Sequence, residues 1–105
     1  MEPLVLALLS QAAPGAAIAA AFEEEGVPLA VEPASGAPEA LAREAAKRTV
    51  LGIGLGGNGE RLALALAGGP ARPYLLAPAS EARPFGHDAA RIAARRPLRQ
   101  TYKLS

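Results

Sequence analysis

The chain has 105 residues, half of them apolar and only 4% aromatic, with no cysteine and a formal net charge of +1. That length fits one domain, expected to span residues 1–105, with a core of Ala, Val, Leu and Ile and three large pieces, Phe22, Tyr74 and Phe85. The lack of cysteine excludes disulfides and thiolate chemistry, and the near-neutral charge argues against a nucleic-acid binder.

Met1-Glu2-Pro3 lacks the positive n-region of a signal peptide, and no stretch reaches the roughly 18 apolar residues of a membrane span, so the expected location is the cytoplasm. The apolar run from Pro3 to Leu8 predicts a buried strand. Pro14-Gly15 opens a helix that carries Ile18 and Phe22 on its buried side and stops at Gly26, with Pro28 beyond. Leu29-Ala30-Val31 predicts a second strand, followed by a turn-rich loop from Pro33 to Pro38. A second helix is expected from Glu39 to Arg48, with Leu41 and Ala45 inside and Arg43, Glu44, Lys47 and Arg48 outside.

Thr49 to Leu55 predicts a third, central strand, and Gly56-Gly57-Asn58-Gly59 a turn. The Asn-Gly pair favours a hairpin, so Arg61 to Leu66 is expected to return as an antiparallel strand. Tyr74 to Ala77 predicts a fifth strand, and Gly86 to Arg96 a third helix. The order β-α-β-α-β-β-β-α predicts a three-layer α/β/α sandwich on a small five-stranded mixed sheet with one antiparallel strand.

Four local patterns carry candidate chemistry. Gly52, Gly54 and Gly57 spell GxGxxG, but phosphate binding needs a helix N-terminus directly behind the glycines, and the segment that follows predicts a strand. His87-Asp88 joins the only histidine to the only aspartate. No elbow surrounds the nearest hydroxyl, Ser80, so Asp88 is better explained as favourable charge at a helix start. Arg91, Arg95, Arg96, Arg99 and Lys103 make the C-terminal end basic, suited to solvent, to a phosphate or to an acidic partner surface.

The fourth pattern is Glu23-Glu24-Glu25, three carboxylates in the last turn of a helix, where the macrodipole disfavours each of them. On a wheel of about 100° per residue, Glu25 falls near the side of Ile18 and Phe22, and Glu24 points about 140° away from it. Either the end is solvated, or a cation or a basic partner surface compensates it.

Phe22-Glu-Glu-Glu-Gly-Val-Pro-Leu29 resembles the acidic helix end and Gly-[Ile/Val]-Pro turn of the small subunits of glycerol and diol dehydratase reactivases. Val50-Leu-Gly-Ile-Gly54 is similar to that family's central strand, and Pro70-Ala-Arg-Pro-Tyr-Leu75 to its step into the last strand. Gly86-His-Asp-Ala-Ala-Arg91 with Pro97-Leu98-Arg99 resembles its closing helix and exit, although His87-Asp88 stands where two asparagines are common.

The resemblance implies an anticodon-binding-domain-like fold and a non-catalytic subunit of a heterotetrameric, chaperone-like factor. Its large subunit is an ATPase that binds ATP or ADP. The small subunit exchanges with the medium subunit of a coenzyme B12-dependent dehydratase, so that damaged cobalamin is released, in the cytoplasm or in a bacterial microcompartment. Glu24 is implied as the carboxylate that reaches Mg2+ (or Ca2+) held mainly by the large subunit, and Glu23, Glu24 and Arg91 as partner-binding residues. The alternative is the medium, cobalamin-contacting subunit of the dehydratase itself, which is normally longer. A small free-standing α/β enzyme is a third reading, against which the lack of nucleophile, metal cluster and phosphate loop counts.

Overall fold

A computed structural model describes residues 4–69 and 73–94. Strand β1 (Val5–Leu9) is buried along its whole length, as its unbroken apolar sequence requires. It pairs in parallel with β2 (Ala30–Pro33) on one side and β3 (Ile53–Gly57) on the other. Strand β4 (Arg61–Leu66) runs antiparallel to β3 and to β5 (Leu75–Pro78), giving the order β2-β1-β3-β4-β5 with one antiparallel member. Helices α1 (Ala13–Glu25) and α3 (Ala82–Ala93) cover one face, and α2 (Pro38–Lys47) covers the other. The expected three-layer sandwich is present. Among the described residues, no helix is long and apolar enough to cross a membrane.

Strand β4 alternates by size as well as by face. Leu62 and Leu64 pack with Val5, Leu55, Phe22 and Phe85 towards α1 and α3. Ala63 and Ala65 meet Ala42 and Ala46 of α2. A period of two in residue size identifies the segment as a strand, where an Ala-Leu run alone suits a helix equally well.

The glycine-rich stretch departs from the expected layout. Gly56 and Gly57 belong to β3, and the turn begins only at Asn58, whose Oδ1 accepts from the N–H groups of Glu60 (2.8 Å) and Arg61 (2.9 Å). At the other end β3 starts at Ile53 rather than Thr49. Thr49 instead closes α2: its Oγ1 accepts from Ile53 N–H at 3.0 Å and lies 3.2 Å from the Ala46 carbonyl. Gly52 then takes a left-handed φ of 70°, which interrupts any extended run from Thr49. Val50 and Leu51 are left exposed.

Gly54 and Gly56 point at α2. A Cβ on Gly54 would lie 2.1 Å from the Ala46 nitrogen, and one on Gly56 would lie 2.1 Å from the Pro38 carbonyl oxygen. The helix backbone occupies the space where side chains would stand. These glycines therefore serve helix–sheet contact, and a strand follows them rather than a phosphate-binding helix.

Three further expectations are corrected. Tyr74 is 43% exposed and does not belong to the core, which leaves Phe22 and Phe85 as its large members. Helix α3 begins at Ala82, four residues earlier than expected, because Pro84 lies in a first turn whose N–H groups have no intrahelical acceptor. Asp88 is consequently in the second turn and fully buried, too far along for the helix-start explanation. The expected helix end at Arg96 lies outside the described residues.

Candidate functional site

Helix α1 ends as its sequence predicts. Gly26 adopts a left-handed φ of 74°, and the N–H groups of Gly26 and Val27 reach the Glu23 and Phe22 carbonyls at 3.1 and 3.0 Å. The three carboxylates before it therefore sit in the last turn, at the negative end of the helix dipole. What offsets them comes from α3. Arg83, His87 and Arg91 are spaced by four, which lines them up as one basic ridge along that helix.

A close helix crossing brings the ridge to the acidic end. A Cβ on Gly86 would lie 2.8 Å from the Ala21 Cβ and 3.1 Å from the Ile18 Cα, so α1 and α3 touch nearly backbone to backbone there. One turn beyond Ala21, the side chains interlock. His87 stands between two glutamates, with Nδ1 2.7 Å from Glu25 Oε2 and Nε2 3.1 Å from Glu24 Oε1. Arg91 Nε donates to Glu25 Oε2 at 3.2 Å, and Arg83 pairs with the other oxygen of Glu24. A neutral imidazole has one N–H, so only the protonated ring donates to both carboxylates at once.

The two carboxylates differ in setting. The Glu25 side chain is 7% exposed and that of Glu24 is 53% exposed. The hydrogen bond from His87, aided by the Arg91 charge, holds the Glu25 carboxyl below the ordinary carboxylate range, although burial pulls the other way. The wheel had Glu25 near the core side and Glu24 outward. Glu24 is indeed half in solvent, but α3, absent from a single-helix wheel, holds it by both oxygens. The compensating charge at this helix end is thus supplied within the chain.

Of the residues expected to act, Glu24 and Arg91 fall in one cluster, linked through His87 and Glu25. Glu23 is exposed and faces an open groove with Ala19, Ala20, Val27 and Leu29. Glu25 is placed near the core side by the wheel but carries no role there, and Arg83 is missed altogether, although its spacing of four from His87 and eight from Arg91 is the signal for it. His87 with Asp88 does not form a nucleophile-activating pair, since both ring nitrogens face glutamates. Among the described residues no group of three or more His, Asp or Glu is placed to hold a metal ion. Glu24, half exposed and paired with Arg83 and His87, does not by itself make a metal site.

Comparison with known proteins agrees with this architecture. No curated protein matches the chain. One solved structure, described as glycerol dehydratase reactivase, superposes with a TM-score of 0.84 at 24% identity, over 93% of this chain and 97% of that one. A second, described as diol dehydratase-reactivating factor complexed with ADP and Mg2+, superposes with a TM-score of 0.82 at 21% identity, over 95% of this chain and 99% of that one. The family model described as dehydratase medium subunit matches residues 3–99. The chain belongs to the dehydratase medium subunit family.

Proposed function

We propose that this chain is the small, non-catalytic subunit of a reactivating factor for a coenzyme B12-dependent glycerol or diol dehydratase. In this reading it binds an ATPase large subunit within a heterotetramer and exchanges with the medium subunit of the dehydratase, so that damaged cobalamin is released. ATP or ADP is bound by the large subunit. The observation that carries the reading is the likeness to two reactivase structures over nearly their entire chains.

The chemistry at the end of α1 supports a metal shared with the partner. One of the two similar structures is described with ADP and Mg2+. Mg2+ prefers hard oxygen ligands in octahedral array, so a single half-exposed carboxylate such as Glu24 suits a contributed ligand and not a complete site. An ion brought to this helix end would take over part of the compensation that Arg83 and His87 give Glu24 within the chain. In this reading Glu23 and Arg91 also contribute to the partner-binding surface.

The family description favours a second reading, in which the chain is the medium subunit of the dehydratase itself. One experiment separates the two. The chain is mixed with a reactivase large subunit, and the complex is added to glycerol-inactivated holoenzyme with ATP and Mg2+. Co-purification with the large subunit and ATP-dependent recovery of activity are expected, while the isolated chain neither hydrolyses ATP nor binds adenosylcobalamin. Failure to bind the reactivase large subunit, together with micromolar cobalamin affinity in a spectral titration, would establish the second reading instead.

A further inference from the structure

We propose that Arg83 and His87 form an intramolecular latch on Glu24, standing in for an external cation and holding the carboxylate against α3 until a partner takes it. The latch rests on the reading above, in which Glu24 reaches a divalent ion carried by the large subunit. Both Glu24 oxygens are engaged within the chain, one by the Arg83 guanidinium and the other by His87 Nε2 at 3.1 Å. Each oxygen keeps a further lone pair, but a divalent ion approaching it would meet the Arg83 guanidinium and the His87 ring already bonded there. The guanidinium and a divalent ion therefore compete for the same carboxylate.

The arrangement lets Glu24 leave without loosening the helix pair. Glu24 and Arg83 are each about half exposed, at 53% and 50%, and ion pairs in that setting are weak. Glu25 is held one residue further on by the shorter His87 contact, at 2.7 Å, and by Arg91. When Glu24 swings out, His87 keeps its bond to Glu25 and α1 stays fastened to α3. Glu25 is the anchor and Glu24 the exchangeable arm.

The test is a calorimetric titration of the full chain with a reactivase large subunit in excess Mg2+, using wild type, Arg83→Gln, Glu24→Gln and the double variant. Glu24→Gln should weaken binding, because a neutral amide is a poor ligand for a hard cation. Arg83→Gln should tighten it about three- to fivefold, the scale of an exposed ion pair no longer to be broken. In the Glu24→Gln background the same change should have no effect, and Arg83→Lys should behave as wild type. Melting curves of the Arg83 variants should stay within a few degrees of wild type, which separates the gain from a change in fold. Unchanged or weaker binding by Arg83→Gln, with Glu24→Gln still weakened, overturns the latch and leaves the docking role of Glu24 standing. Full affinity of Glu24→Gln overturns both.

Discussion

The two faces of the sheet reach close packing by opposite means. Towards α2, β3 presents Gly54 and Gly56 and β4 presents Ala63 and Ala65, against Ala42, Ala45 and Ala46 of the helix. Little side chain intervenes, and backbone lies nearly on backbone. Towards α1 and α3 the same strands present Ile53, Leu55, Leu62 and Leu64, and Phe22 and Phe85 fill the layer between. Over β3 and β4 the α2 face gains its contacts by removing side chains, with Leu6 and Leu8 of β1 filling the space beside Leu41. The other face interlocks large side chains. The first should fail when a residue is enlarged and the second when one is cut back.

Gly56→Ala is the sharpest way to break the first face. The added Cβ would lie 2.1 Å from the Pro38 carbonyl oxygen and 2.5 Å from the Ala42 nitrogen, both backbone atoms that cannot rotate away. Because α2 must lift as a unit, the cost should exceed the usual ~1–3 kcal/mol of overpacking, a large part of a small domain's stability. The expected outcome is loss of cooperative melting by circular dichroism at 25 °C. A melting midpoint near that of wild type would mean that α2 is not seated on the glycines.

The second face should show the reverse sensitivity. Phe85 is fully buried between α3 and the sheet, so Phe85→Ala should cost about 3–5 kcal/mol, through lost transfer energy and the cavity left behind. Phe85→Leu should cost clearly less, since most of the volume is kept. Urea titration of both variants measures the ratio. Equal losses would show that volume is not what this face depends on.

This asymmetry also separates what the sequence revealed from what it concealed. All eight main elements were legible in order, because Pro14, Gly26 and the Asn58-Gly59 turn mark boundaries through local chemistry. Strand β3 was misplaced because glycine has weak strand preference, and its justification lies on α2, which no local rule connects to it. Tyr74 has the size of a core residue, yet it stands just before β5 and is exposed. At the candidate site Glu24 could be reached by a wheel, as a property of one helix. The partners Arg83 and His87 could not, since they meet Glu24 through a crossing made possible by Gly86. A helix that begins at Gly86 also excludes Arg83 from the ridge it belongs to, whereas α3 begins at Ala82.

The smallest expected effect lies at the rim of the second face, where polar contacts replace interlocked apolar ones, and it depends on pH. The Glu25 carboxyl is held below its ordinary value of 4.5 by the His87 hydrogen bond and the Arg91 charge. A carboxylate whose native value is depressed binds protons less readily than in the unfolded chain, so its contribution is complete above the unfolded value and declines as pH falls through the native one. Glu25→Gln should therefore lower the melting temperature at neutral pH, and the gap from wild type should narrow steadily below about pH 4.5. Glu23→Gln, at an exposed carboxylate of the same triplet, serves as the control and should leave the melting temperature nearly unchanged at every pH. Melting curves of the three proteins from pH 7 down to the acid limit of folding decide it. A gap that stays constant through the carboxylate range would mean that Glu25 contributes by packing alone, and the ionic fastening of α1 to α3 would have to be given up.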